Sequence, residues 1–123
     1  MMQDLVGIVR NEEEMHRALD GIKKLCQRAE NVSVAGNVEF NPGWHTCLDL
    51  QNLLTVSEAI TLSAIERKES RGAQFREDFP EKKAEFSTFN IAVRKDSDGG
   101  MRISRDPIPA INSELKQIID EMG

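Results

Sequence analysis

From about Trp44 to Glu69 the apolar residues do not keep to one side of a helix. Leu48, Leu50, Leu53, Leu54, Val56, Ala59, Ile60, Leu62, Ala64 and Ile65 fall on more than one stripe at helical spacing. A helix that is apolar on most sides is packed on most sides. This segment is therefore expected to be the longest and most central helix of a mainly α fold.

A second helix is expected from Asn11 to about Ala29. Asn11 suits an N-cap, with Glu14 three residues on as in a capping box. Glu12, Glu13 and Glu14 put negative charge at the positive end of the helix dipole, and Lys23, Lys24 and Arg28 put positive charge at the other. Met15, Ala18, Leu19, Ile22, Leu25, Cys26 and Ala29 form a single apolar stripe. Ahead of it, Met2, Leu5, Val6 and Val9 repeat the period over about two turns, with no cap before them. So short a helix is marginal alone, and the segment reads as the tail of a longer helix.

The connector from Asn31 to Gly43 is rich in Asn, Gly and Ser. Beyond Ser70, Arg71-Gly72 is expected to end the long helix. Phe75 to Glu85 is charged, contains Pro80 and reads as a surface excursion, with the sign-alternating run Arg76 to Glu85 solvated. Phe86 to Val93 alternates as a strand. Asp96 to Gly100 is a hairpin turn and Met101 to Ser104 the returning strand. Pro107 and Pro109 stop it, and Asn112 or Ser113 caps a last short helix carrying Leu115, Ile118, Ile119 and Met122.

Several functions find no support. A net charge of −5 gives no global attraction to nucleic acid. No apolar run approaches the roughly 20 residues that span a bilayer, so no direct membrane insertion is expected. Met1 to Asp4 lacks the basic start of a secretory signal. The 2 cysteines, Cys26 and Cys47, are too few for a disulfide framework. His45-x-Cys47 with Cys26 and His16 has one local pair where a zinc site usually shows two. No metal site is expected, and the cysteines read as small buried core residues. His45 and Cys47 point about 200° apart on a helix and cannot act as base and nucleophile. Asp96 to Gly100 lacks the glutamate of a calcium loop, whose place is taken by Pro107. No Gly-x-Gly-x-x-Gly follows a strand, so nothing here cradles a dinucleotide.

Glu66-Arg67-Lys68-Glu69-Ser70-Arg71-Gly72-Ala73 resists so plain a reading, because it is charged yet ends the most apolar helix. Its charges sit either on a solvated face or against groups on another surface, where arginine's fixed fork of donors is well suited.

Here a family resemblance adds weight. Asn41-Pro42-Gly43-Trp44-His45, the run Asp49 to Ala59, Arg67-Lys68-Glu69-Ser70-Arg71-Gly72-Ala73 and Arg76-Glu77-Asp78-Phe79-Pro80 together resemble the C-terminal region of succinate dehydrogenase and fumarate reductase flavoproteins. Gly7, Ile8 and Arg10 match the family's upstream helix ending. Aspartate oxidases share part of the pattern. The likeness spans nearly the whole chain and weakens after Pro80.

The resemblance implies a three-helix bundle, spectrin-repeat-like and up-down-up, over about residues 1–72. An irregular tail over about 73–123, including a short β-hairpin, completes a single domain of a larger flavoprotein. That domain would pack on the FAD-binding domain of the same subunit. The intact enzyme would interconvert succinate and fumarate with FAD, pass electrons to an iron–sulfur subunit, and sit in the cytoplasm, peripheral to the membrane through its complex. The fragment itself is expected to carry no catalytic residue, hold no FAD and be inactive. Arg67, Glu69, Ser70 and Arg71 are the expected domain-interface residues. Gln74 joins them: it stands where the family usually has histidine, and replaces its hydrogen bonding but not its titration. A bared docking face predicts weak self-association. A free-standing helical interaction module is the rival reading.

Overall fold

The computed structural model describes residues 1–122. Among the described residues there are four α-helices: α1 (Met2–Leu5), α2 (Glu12–Ala29), α3 (Pro42–Glu66) and α4 (Ser113–Met122). A parallel two-residue ladder joins β1 (Val9–Arg10) to β2 (Phe75–Arg76), and an antiparallel hairpin joins β3 (Phe89–Lys95) to β4 (Met101–Pro107). The protein is thus mainly helical with a small β component.

α2 begins where its cap predicts. The Asn11 side chain accepts from the Glu14 amide at 2.9 Å, while its own amide group donates to Glu77 at 3.1 Å. α3 starts earlier than the sequence suggests, at Pro42. Proline loses nothing at a first turn, where its missing N–H would be unpaired anyway. Asn41 caps it by accepting from the Gly43 amide, and also donates to the carbonyls of Ala35 and Asn37, which ties down the connector.

α2 and α3 run antiparallel. Glu12 at the start of α2 meets Lys68 just past the end of α3, at 3.4 Å, while Ala29 and Leu50 share the opposite end. Ile22, Ala29 and Leu54 form the core between them, with Met2, Cys26 and Leu50 packed around it. Complete burial of a side chain such as Ile22 stabilises by about 1.5–3 kcal/mol.

Four expectations are corrected. The first helix is only 4 residues long, because the chain turns at Gly7 into β1. A Cβ on Gly7 would lie 2.6 Å from the Gln3 carbonyl oxygen, so this turn admits no side chain. Second, α3 is not packed on most sides within this chain. Only Leu54, Thr61 and Ala64 are buried, while Leu53 and Val56 remain 64% and 55% exposed. Third, α3 ends at Glu66 rather than near Ser70, since Arg67 has extended backbone angles. Fourth, Arg76 is not solvated but wholly buried.

The hairpin has its turn where predicted. Asp96 donates to the Gly100 carbonyl at 2.8 Å, and Gly99 supplies the positive φ of +88°. β3 begins later than expected, because Phe86 belongs to a one-turn 3-10 helix (Ala84–Ser87) that buries its ring. β4 continues through Pro107. Arg105 anchors the hairpin to α3 by donating to Glu66 at 2.7 Å. Cys26 and Cys47 are half-buried free thiols, not fully buried core residues. His45 is exposed and stands edge-on to Trp44.

Candidate functional site

The segment after α3 folds back on the helix end as a knot of charged groups. Its centre is Glu69, whose side chain has no solvent exposure. Arg67 donates to its carboxylate at 2.7 Å, Arg71 at 2.8 and 3.1 Å, and the Lys83 amide at 2.9 Å. A buried carboxylate is tolerated only when paired and hydrogen-bonded in this way. The bonds from Arg71, and then those from Lys83 and Arg67, outweigh burial and push the Glu69 carboxyl down to about 2.

Ser70 closes the turn. Its hydroxyl donates to the Phe79 carbonyl at 2.9 Å and accepts from the Arg76 amide at 2.8 Å. Gln74 uses both ends of its amide. The nitrogen donates to the carbonyls of Arg67 and Glu69, at 3.0 and 3.2 Å, and the oxygen accepts from Arg10 at 2.9 Å. All five expected interface residues therefore gather in one place.

The sequence reading missed the buried cation of the knot. Arg76 donates to the Ala64 carbonyl at 2.9 Å, meeting one of the unpaired carbonyls at the end of α3. It also makes two 2.7 Å bonds to Asp78. Asp78 in turn accepts from the Glu12 amide at 3.1 Å, at the start of α2. The arginine thus faces the negative end of one helix dipole and the aspartate faces the positive end of the other. Bonds from Arg76 hold the Asp78 carboxyl below its usual range. The Arg-x-Asp spacing before Pro80 was the available signal, hidden because alternating charge usually means a solvated face. Phe79 lies under the Arg76 guanidinium at 5.1 Å and the Lys83 ammonium at 4.6 Å.

The parallel ladder brings Arg10 to the same knot. Burial, followed by the charge of Arg76, lowers its pKa.

Among the described residues, no strand passes through a glycine-rich turn into a helix. At the start of α2, the Glu12 and Glu14 amides are already taken by Asp78 and Asn11, and three glutamates surround them. Among the described residues, no three histidine, cysteine or acidic side chains converge as a metal donor set. No described helix is long and apolar enough to cross a membrane.

Comparison with known proteins decides the kinship. The family model described as fumarate reductase flavoprotein C-term matches residues 1–118. The chain belongs to this family. An uncharacterised FAD-dependent oxidoreductase of Methanocaldococcus jannaschii is 41% identical over 94 residues, which are 76% of this chain and 16% of that protein. The fumarate reductase flavoprotein subunit of Haemophilus influenzae is 32% identical over 115 residues, 93% of this chain and 19% of that protein. L-aspartate oxidases are also among the similar proteins.

Among solved structures, Mycobacterium smegmatis Sdh1 in complex with UQ1 superposes with a TM-score of 0.88 at 36% identity, over 97% of this chain and 20% of that one. The family member described here thus spans about a fifth or less of the length of the relatives it matches.

Proposed function

We propose that this chain is the C-terminal scaffold domain of a FAD-dependent succinate dehydrogenase or fumarate reductase flavoprotein subunit. In this reading residues 1–123 form a single domain, with α1, α2 and α3 as the up-down-up bundle and the remainder as tail. The domain contributes no catalytic residue. It braces the FAD-binding domain of the same subunit, where flavin is held and succinate and fumarate interconvert. Electrons leave through an iron–sulfur subunit, and the complex holds the protein at the cytoplasmic side of a membrane. The family match along residues 1–118 carries the proposal.

Arg67, Glu69, Ser70, Arg71 and Gln74 form the proposed interface, in two roles. Glu69 and Ser70 are satisfied within the chain and hold the loop in shape. Arg67 and Arg71 keep 22% and 37% of their side chains exposed. Their guanidinium groups retain N–H donors with no acceptor among the described residues. Those outward donors suit acceptors on a neighbouring surface.

The test is made in the full-length subunit. Arg71→Ala is expected to lower the flavin retained per polypeptide and to loosen domain docking, because a hydrogen-bonded interface charge is worth about 2–5 kcal/mol on truncation. Unchanged flavin content and thermal stability would remove Arg71 from the interface. A full-length protein that holds no FAD would overturn the whole reading. Turnover of aspartate in place of succinate would favour the aspartate oxidase branch.

A further inference from the structure

Arg67, Arg71, Arg76, Arg94 and Arg105 each meet a carboxylate. Arg10 is half-buried and does not. Its donors reach only the Gly7 carbonyl and Gln74, and it has no acidic partner among the described residues. Arginines that leave water in this way are normally paired. Arg10 also lines a hollow between α3 and the hairpin, together with the polar Arg67 and Asn90 and the apolar Val56, Ile60 and Ile91. No acidic residue lines this hollow. Val56 and Ile60 are about half exposed.

We propose that this hollow receives an aspartate or glutamate side chain, flanked by aliphatic residues, from the FAD-binding domain of the same polypeptide, and that its carboxylate pairs with Arg10. The proposal rests on the functional reading above. Charge selects the occupant: Arg10 has no acidic partner, Arg67 must share Glu69 with Arg71, and no acid lines the hollow, so the site calls for an anion. The apolar lining selects its form, because Val56, Ile60 and Ile91 would stay wet around a bare inorganic ion but would be covered by a protein side chain and its neighbours. A carboxylate here would also receive the charge-assisted bonds that arginine's fork supplies. Gln74 holds Nη1 of Arg10 and the Gly7 carbonyl holds its Nε, which fixes the guanidinium and leaves Nη2 without an acceptor among the described residues.

The experiment uses the full-length flavoprotein with Val56 replaced by the photo-crosslinking amino acid p-benzoylphenylalanine. After irradiation and digestion, mass spectrometry is expected to find a crosslinked peptide from the FAD-binding domain that contains Asp or Glu. Arg10→Gln should lower the crosslink yield about tenfold, as expected for loss of a charge-assisted hydrogen bond. Ile60→Glu provides a second variant at an exposed position. It offers Arg10 a carboxylate within the chain, and should displace the partner while far-ultraviolet circular dichroism stays unchanged.

Crosslinks to a second copy of this domain, to another subunit or to a peptide without a carboxylate would overturn the proposal. So would a yield indifferent to both variants. In each of these cases normal flavin content leaves the functional reading standing, whereas a flavin-free full-length protein sinks that reading and the proposed occupant with it.

Discussion

Arg76 and Asp78 lie side by side in two 2.7 Å hydrogen bonds, and through them the end of α3 is tied to the start of α2. The pair is only two residues apart in sequence, yet it joins helix ends separated by the whole length of α2, the connector and α3. It works because the helices are antiparallel. Their opposite dipole ends come together, and a cation–anion pair can complement both.

Arg76→Met is therefore expected to destabilise the domain by about 1–3 kcal/mol, since it orphans the buried Ala64 carbonyl at the end of α3 and strips the partly exposed Asp78 of both its bonds to the guanidinium. A small domain has only about 5–15 kcal/mol in total. Denaturant unfolding followed by circular dichroism measures the loss. Asp78→Asn keeps the bond to the Glu12 amide within reach and should cost less. A midpoint for Arg76→Met within error of the parent would contradict the role assigned to the pair.

Acid sensitivity should trace to Glu69. Its folded pKa of about 2 lies below the ordinary 4.5, so the unfolded chain takes up the proton first. The contribution is complete above that ordinary value and drains away as pH falls toward 2. Asp78 is shifted in the same direction and adds to it. Unfolding midpoints recorded from pH 6 down to pH 2 are expected to drop steeply through this window. Glu69→Gln should be less stable at pH 6 and show a flatter profile. A parent curve level across the window would show that the carboxylate is not held as described.

Gln74→His tests what the amide does that an imidazole cannot. Neutral histidine can accept from Arg10 through one nitrogen and donate through the other. Protonated histidine can only donate, and would face a guanidinium. Arg10 disfavours the added charge, so the folded pKa of the new histidine should lie below its unfolded value of about 6.5. Its contribution would be present above that pH and lost below it. Thermal melts at pH 8 and pH 5 should separate the variant from the parent only at the lower pH. An equal difference at both would point to shape rather than charge.

Leu53, Val56 and Ile60 follow one another on the uncovered side of α3. Uncovered apolar faces of this kind associate. The isolated chain is expected to self-associate weakly, seen as a light-scattering mass that rises with concentration. Leu53→Asp together with Ile60→Glu should return it to a monomer without loss of helicity. A monomeric mass for the parent at millimolar concentration would count against the patch.

The amino-acid order by itself determined the elements that depend on near neighbours. The cap at Asn11, the single stripe on α2, the turn at Asp96 to Gly100 and the final short helix are written in spacings of two to four residues, where local geometry leaves few alternatives. The run from Arg67 to Ala73 also stood out, because charge ending an apolar helix is an anomaly, and the structure folds it with Gln74 into one hydrogen-bonded knot. Tertiary structure alone decided which charges are buried and what covers α3. Arg76 sits in a run whose alternating signs resemble any solvated loop, and becomes a core residue only because antiparallel packing brings two helix ends to it. The apolar girdle of α3 likewise announced burial, but a girdle does not say whose surface provides it. Periodicity reports that a face must be covered, whereas only the packed molecule shows that this chain leaves part of it open.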